Sequence, residues 1–240
     1  MLHLKEVRLL SEQYPTRNHY PFNIDVLQQT RSIQFSSPVT FFIGENGSGK
    51  TTLLEALARR CNIHIWSGIE RTRSVFNPYE ETFFLYIEVE WTDGIVLGSF
   101  FSSQIFRNFA QLVDEWEADN PGQIDYFGGK SLIAQSHGQS IMSFFKSRYK
   151  IKGLYLLDEP ETALSPKSQV ELLRLLQEMS ALGHAQFIIA THSPILLACP
   201  ESVIYSFDHS PIKTIHYEDT EHYQIYKSFM ESPTKYLSED

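Results

Sequence analysis

The chain has 240 residues, of which 42% are hydrophobic and 20% are charged, the composition of an ordinary globular protein with enough apolar side chain for one core. No apolar run approaches the ~18 residues that a membrane span needs, and the first residues carry charges where a signal peptide is apolar. Cys61 and Cys199 lie far apart and belong to no CxxC pair, which indicates buried thiols, not zinc or disulfides. We therefore expect a cytoplasmic protein without membrane insertion.

The net charge argues against a surface that attracts nucleic acid as a whole. Lys and Arg total 20 against 29 for Asp and Glu, a formal charge of -9, so DNA would be repelled on average. The local exception is a basic segment that holds Lys146, Arg148, Lys150 and Lys152. Two interpretations stay open: a DNA contact, or a solvated helix end whose cations complement the helix dipole.

In chain order, the first recognisable unit is a strand, a loop and a helix. The apolar run Val39 to Ile43 predicts a buried strand, and Ser48 to Arg60 predicts the helix that follows it. Next, Phe83 to Trp91 alternates like a strand pair, and Gln104 to Glu117 has the apolar periodicity of a helix.

Two further apolar runs, Leu154 to Leu157 and Phe187 to Ala190, predict two more strands that end in polar motifs. Between them a long helix is expected, with Ser165 as its N-cap, Pro166 as its first residue and Gly183 after its end. Strands whose carboxyl ends all carry polar residues indicate a parallel sheet with a site along one edge.

One segment matches the phosphate-binding pattern GxxxxGK[ST] without deviation, between a predicted strand and a predicted helix. Glycines allow such a loop to turn its backbone N–H groups toward phosphate oxygens, and the helix N-terminus adds a favourable field. Lys50 would reach the β- and γ-phosphates and Thr51 would bind magnesium. The candidate nucleotide-binding residues are Gly44, Glu45, Asn46, Gly47, Ser48, Gly49, Lys50, Thr51 and Thr52.

Two adjacent carboxylates, Asp158 and Glu159, follow the strand Leu154 to Leu157. Because successive residues at a strand end point in different directions, Asp158 can hold the magnesium shell while Glu159 faces the attacking water. His192 follows the next strand, so it is expected at the same edge of the sheet, within reach of a γ-phosphate. The predicted catalytic residues are Lys50, Glu159 and His192.

With these motifs in order, the chain resembles the ABC ATPases. Gln135 to Gln139 looks like their signature, usually LSGGQ, with Gln135 in place of leucine and His137 in place of the first glycine; Glu161 to Ser165 looks like the D-loop and His192 like the switch histidine. The resemblance covers roughly Val39 to Pro194, and a weaker similarity to small stand-alone bacterial ATPases extends to both ends.

The resemblance implies an α/β P-loop NTPase of the ABC type, with a mostly parallel central sheet flanked by helices, an antiparallel β part and a small helical lobe at about 100–150, all in one domain over 1–240. It implies ATP and Mg²⁺ as ligands, and a homodimer with ATP at the interface. The signature residues would then act on the partner's ATP: Ser136, His137, Gly138 and Gln139. Gln104 stands where the family's magnesium-sensing glutamine is expected, and Tyr20 and Phe22 are candidates for stacking on adenine.

Motif details favour a non-transport branch that resembles RecF and SMC proteins. Transporter subunits usually have SALD in the D-loop and an acidic residue after the switch histidine, whereas this chain has Glu161-Thr-Ala-Leu-Ser-Pro and His192-Ser-Pro. We expect an ATP-gated enzyme in DNA metabolism, repair or defence, with DNA or an effector protein as its partner. Two alternatives stay open: the ATPase subunit of a transporter, or a regulatory dimerisation module with little turnover.

Overall fold

The computed structural model describes residues 1–66, 77–127 and 129–237. Its strands are β1 (Leu4–Leu9), β2 (Ser32–Gln34), β3 (Val39–Ile43), β4 (Ile87–Trp91), β5 (Gly98–Ser102), β6 (Gly153–Asp158), β7 (Ala185–Ala190), β8 (Val203–Ser206) and β9 (Lys213–Ile215). Its α-helices are α1 (Asp25–Gln29), α2 (Lys50–Arg60), α3 (Ser103–Asp119), α4 (His137–Arg148), α5 (Pro166–Ala181), α6 (Pro194–Leu197), α7 (Glu221–Glu231) and α8 (Thr234–Leu237).

The main sheet is mostly parallel. Within the described residues its order is β5-β6-β7-β3-β8-β9, and every neighbouring pair is parallel except β8 and β9. Strands β3, β6 and β7 are buried along their whole length, as expected for parallel strands that are covered on both faces. The strands predicted from the three apolar runs are confirmed, and so is the parallel sheet.

A smaller antiparallel sheet has the order β2-β1-β4. The prediction of a strand pair over Phe83 to Trp91 is wrong in its first half: Phe83–Tyr86 is a 3₁₀ turn, and only Ile87–Trp91 is a strand. Phe83 is buried and its ring contacts those of Tyr14 and Phe22. The strand's partner is β1, which local alternation of the sequence cannot reveal.

A buried glutamine joins the two sheets. Gln186 in β7 is fully buried; its amide nitrogen donates to the carbonyl of Leu4 at 2.9 Å, and its Oε1 accepts from the backbone N–H groups of His3 and Leu4, each at 2.8 Å. Satisfied in this way, the buried amide stabilises the packing of β1 on β7. It thereby fixes the strand that leads into His192.

The helices cover the two faces of the main sheet. One core contains residues of α3, α4 and α5, and the other contains residues of α2 and the small sheet. The helix predicted over Gln104 to Glu117 is confirmed as α3, and the long helix is confirmed as α5, capped by Ser165 with Pro166 as its first residue. Helix α2 begins at Lys50, two residues later than predicted, because Gly49 is left-handed (φ 101°).

Helices α3 and α4 both lie in the chain between β5 and β6. They form much of one core through aromatic contacts, among them Phe106 with Phe144 and Phe109 with Phe144, whose ring centroids lie 5.5 and 5.4 Å apart. In the part of the chain that the structure describes, no helix is long and apolar enough to cross a membrane.

Candidate nucleotide-binding and catalytic site

The polar motifs meet at one edge of the main sheet. Strands β6, β7 and β3 are adjacent and parallel, with Asp158 paired to Ala190 and Ala190 paired to Phe42. The phosphate loop after β3, the carboxylates after β6 and the histidine after β7 therefore emerge side by side. This arrangement is the one expected from the sequence.

Backbone conformation explains two glycines of the phosphate loop. Gly44 has φ 143°, and a Cβ there would lie 3.0 Å from both the Asp208 carboxylate and the Ser48 hydroxyl. Gly49 has φ 101°, and a Cβ there would lie 3.1 Å from Ile24. A side chain is therefore strained at both positions. Glu45, Asn46 and Gly47 at the tip of the loop are exposed.

Lys50 lies beneath this loop. The residue is 5% exposed, and its Nζ donates to the carbonyls of Gly44 at 2.6 Å and Glu45 at 3.0 Å. Burial lowers the pKa of Lys50, and nearby carboxylates, Glu159 first among them, oppose the shift. The Ser48 hydroxyl is buried with no hydrogen-bond partner among the described residues. A buried cation and an unpaired hydroxyl in a glycine loop fit an anionic phosphate group.

Thr51 and Asp158 form the candidate metal site. The Thr51 hydroxyl donates to Asp158 Oδ1 at 2.9 Å, and Asp158 is 8% exposed. Burial raises the pKa of Asp158 to about 7, against the opposing effect of the Thr51 hydrogen bond. A hydroxyl and a buried carboxylate are oxygen ligands of the kind that Mg²⁺ takes. Gln104 lies in the first turn of α3, just beyond Ser102, which pairs with Asp158; its side chain is outside what the structure describes.

Glu159 has an unusual backbone conformation. Its φ of 45° and ψ of 55° are left-handed, which is uncommon outside glycine, and its N–H donates to the carbonyl of Ala190 at 2.9 Å. Such conformations concentrate at functional sites, where the surrounding structure holds them. The turn keeps the Glu159 side chain partly exposed, with its Oε1 3.7 Å from His192 Nε2.

His192 is held from three sides. Its N–H donates to Glu161 Oε1 at 2.6 Å, its Nδ1 lies 2.9 Å from His222 Nε2, and its Nε2 faces Glu159. Burial, the Lys50 charge and His222 lower the pKa of His192, in that order of size. The neutral imidazole is thus favoured at this position. His192 Nε2 is buried and has no hydrogen-bond partner among the described residues.

The predicted signature lies at the N-terminus of α4. Ser136 is its N-cap and forms a capping box with Gln139. Ser136, His137 and Gln139 are exposed, and Gly138 is half-buried, where a Cβ would lie 3.3 Å from the carbonyl of Ala163 in the predicted D-loop. The signature and the D-loop are therefore neighbours, while the signature's polar groups face outward.

The two candidates for stacking on adenine, Phe22 and Tyr20, have different surroundings. Phe22 is fully buried in an aromatic cluster, so the prediction that it stacks on adenine is wrong. Tyr20 is 41% exposed and its hydroxyl lies 3.1 Å from the Thr52 hydroxyl, so it stays a candidate.

The basic segment is partly engaged within the chain. Lys146 pairs with Glu171 at 2.5 Å, and Arg148 donates to the carbonyl of Gly98 at 3.3 Å. These two contacts leave fewer cations of the segment available for binding DNA.

Sequence reasoning missed two residues of the site. Asp208 accepts from the N–H of Glu45 at 2.7 Å, and His222 contacts His192. Both lie beyond Pro194, where the recognisable motifs end. For Asp208 the available signal was its position after the apolar run of β8, the strand that pairs with β3.

Two family models match parts of the chain. The family model described as "AAA domain, putative AbiEii toxin, Type IV TA system" matches residues 131–198, and one described as "AAA domain" matches residues 21–59. No curated protein matches the chain significantly.

Solved structures match over most of the chain. The SMC head domain from Thermotoga maritima is 18% identical, with 90% of this chain and 100% of that chain covered and a TM-score of 0.50. An SMC head bound to the C-terminal winged-helix domain of ScpA is 13% identical, with 89% and 97% covered and a TM-score of 0.55. The cbiO1 protein from Clostridium perfringens, part of the ABC transporter complex cbiONQ, is 18% identical, with 97% of each chain covered and a TM-score of 0.52. Together with the sheet order, these matches show that the chain has the P-loop ATPase fold of ABC and SMC head domains.

Proposed function

We propose that this chain binds ATP with Mg²⁺ and hydrolyses it to ADP and phosphate, as a head-to-tail homodimer with ATP at the interface. The observation that carries the proposal is that four side chains lie together at one edge of the sheet. The Thr51 hydroxyl is hydrogen-bonded to Asp158 at 2.9 Å, and Glu159 Oε1 lies 3.7 Å from His192 Nε2. Catalysis of phosphoryl transfer depends mainly on positioning the reactants and on stabilising the charge of the transition state, and little on covalent chemistry by the protein.

Each side chain has a distinct role in this mechanism. Lys50 and the backbone N–H groups of the phosphate loop hold the phosphates. Thr51 and Asp158 would hold Mg²⁺, with Gln104 as a further candidate ligand; when bound, the ion neutralises charge on the phosphate oxygens. Glu159, aimed by its left-handed turn, accepts a hydrogen bond from the attacking water and orients it. His192 donates a hydrogen bond from Nε2 to the γ-phosphate.

The exposure of the signature supports the dimer. Ser136, His137 and Gln139 are exposed at the N-terminus of α4, and a helix N-terminus favours an anion. A second copy arranged head to tail would bring these groups over the γ-phosphate held by the first copy. The same surfaces then recur in both halves of a closed, two-fold dimer.

Motif variants favour a function outside transport. The matched structures include both SMC heads and a transporter component, so the fold is common to the two classes. The Glu161-Thr-Ala-Leu-Ser-Pro and His192-Ser-Pro segments are unlike those usual in transporters. We place the activity in DNA metabolism, repair or defence, in the cytoplasm, with DNA or an effector protein as partner. A switch with little turnover is the second candidate, since ATP-driven closure alone can be the output.

Phosphate release by the purified protein with ATP and Mg²⁺, measured with and without duplex and single-stranded DNA, tests this function. We expect turnover that Glu159→Gln abolishes and that Glu12→Gln, a matched change at an exposed position, leaves intact. Turnover that is equal in the parent and Glu159→Gln would contradict the mechanism. ATP-dependent dimerisation without turnover under any of these conditions would favour the switch.

A further inference from the structure

The catalytic histidine has a partner outside the recognisable motifs. His222 is the second residue of α7, and its Nε2 lies 2.9 Å from His192 Nδ1, within hydrogen-bond distance. The two ring centroids are 5.1 Å apart. Because His192 Nδ1 is occupied in this way, only its Nε2 is directed toward Glu159 and the phosphate site.

A second contact holds the same two segments together. Tyr217 lies shortly before α7, and its hydroxyl donates to the carbonyl of Pro194 at 3.0 Å. The centroid of its ring lies 4.6 Å from the ring centroid of Tyr223 in α7. Thr220 between them is fully buried; its hydroxyl donates to the carbonyl of Tyr217 at 2.7 Å and accepts from the N–H of Tyr223 at 3.3 Å. The start of α7 is therefore fixed to the segment that carries His192, and His222 is held in place.

The surroundings of His192 select one tautomer. A neutral imidazole carries its proton on one nitrogen and accepts on the other. If Nδ1 carried the proton, the lone pair of Nε2 would face the Glu159 carboxylate, an acceptor when ionised, at 3.7 Å. With the proton on Nε2, His192 can donate toward Glu159 or a phosphate oxygen, and its Nδ1 must then accept from His222 Nε2–H.

We propose that His222 is the positioning residue of the catalytic histidine: its Nε2–H donates to His192 Nδ1 and holds His192 in the tautomer that donates from Nε2. This inference rests on the proposed function of the site, which it extends to α7. His222 itself touches no phosphate in this scheme. It acts only through His192, as the outer partners of metal-bound or catalytic histidines do.

Kinetics of matched variants test the role. For His222→Ala we expect kcat to fall about 10- to 100-fold, the range seen when a supporting hydrogen bond of a functional histidine is removed, while KM for ATP changes less than about twofold because the phosphate loop is untouched. His222→Gln restores a side-chain N–H donor and should return kcat to within about threefold of the parent. Gln224→Ala, an exposed change two residues further along α7, is the control and should match the parent.

The tautomer itself can be read without turnover. In protein labelled with ¹⁵N at histidine, we expect His192 of the parent to show the Nε2–H form, and His222→Ala to shift it toward a mixture of both forms. A parent His192 protonated on Nδ1 would overturn the proposal even if ATP hydrolysis is confirmed. So would full activity of His222→Ala beside an inactive His192→Ala. Absence of turnover in all variants would count against the proposed function alone, since the tautomer still reports on the hydrogen bond.

Discussion

The Lys50 ammonium donates a hydrogen bond of 2.6 Å to the carbonyl of Gly44, the first residue of its own phosphate loop. A second bond of 3.0 Å goes to the carbonyl of Glu45. The cation is thus buried against neutral acceptors, with only longer-range help from carboxylates. Phosphate oxygens carry negative charge, so a hydrogen bond from the ammonium to them adds a Coulomb attraction between opposite charges that a neutral carbonyl does not offer. Exchange of carbonyls for phosphate oxygens would therefore favour binding.

Lys50→Ala and Glu159→Gln should separate binding from catalysis. The first removes the buried phosphate contact, and we expect it to abolish ATP binding in calorimetry. The second removes only the group that orients water, so ATP affinity should stay within about threefold of the parent while hydrolysis is lost. An equal loss of affinity in both variants would contradict the assigned roles.

The buried Asp158 should make stability depend on pH. Its pKa is raised from 3.8 to about 7, so the folded protein keeps a proton that the unfolded chain releases near pH 4. The stability that this provides is complete below about pH 4 and is lost as pH rises through about 7. Asp158→Asn cannot ionise, so its free energy of unfolding should exceed that of the parent by about 4 kcal/mol at about pH 8, and the difference should vanish in acid.

Denaturant unfolding in EDTA without nucleotide, from about pH 4 to about pH 8, measures this difference. Asp93→Asn, at an exposed position, is the matched control and should follow the parent. If the Asp158→Asn and parent curves run parallel across this range, the carboxylate is not destabilised by its burial.

The sequence predicts the central strands and the site edge because their signals are local. β3, β6 and β7 are mostly apolar, with Thr40 and Gln186 as polar exceptions within β3 and β7, and polar motifs stand at their ends. What it does not predict depends on long-range packing: β4 pairs with β1, far away along the chain, and Phe22 is buried by aromatic neighbours.

The same limit applies to His222 and Asp208. Each contributes one ordinary polar side chain with no motif around it, and its role arises only because the fold brings it to the edge where the motifs meet. Periodicity and spacing carry no information about such contacts.

ATP should drive the Glu159→Gln protein into a dimer. A ligand bound between two surfaces shifts assembly by mass action, and without hydrolysis the closed state persists. Light scattering after size exclusion should give about twice the monomer mass with ATP and Mg²⁺, and the monomer mass for Lys50→Ala under the same conditions. A Glu159→Gln protein that stays monomeric at saturating ATP would count against the head-to-tail arrangement.

Gly98 tests the packing that aligns β5 with the site. A Cβ at this position would lie 2.4 Å from Ile63 Cδ1 and 2.6 Å from the backbone oxygen of Leu154. Because backbone of β6 cannot move freely, we expect Gly98→Ala to lower the free energy of unfolding by about 2 kcal/mol, within the range for overpacked cores. Gly94→Ala is a comparison variant, because a Cβ at position 94 makes no such contact. The backbone φ of 105° at Gly94 strains a side chain there for a separate reason. Equal unfolding midpoints for Gly98→Ala and the parent would show that β5 tolerates a side chain there.

Ser136→Arg tests the signature, whose groups can complete a site only in the opposite subunit. Every phosphate contact made within one chain by Lys50 and Thr51 survives, so the monomer should bind ATP nearly as well as the parent. A bulky cation does not fit at a closed phosphate interface, so dimerisation and hydrolysis should both be lost. Ser232→Arg, at an exposed serine directly after α7, is the matched control and should retain dimerisation and hydrolysis.

A mixture of Ser136→Arg and Lys50→Ala, each inactive alone, sharpens the test, because one of the two sites in their heterodimer pairs an intact phosphate loop with an intact signature. Partial recovery of turnover in the mixture would show that the signature acts across the interface. The Ser136→Arg variant on its own can refute the role of the signature. If Ser136→Arg hydrolyses ATP at the parent rate, then Ser136 and Gln139 serve only as the cap of α4, and the dimer mechanism must be abandoned.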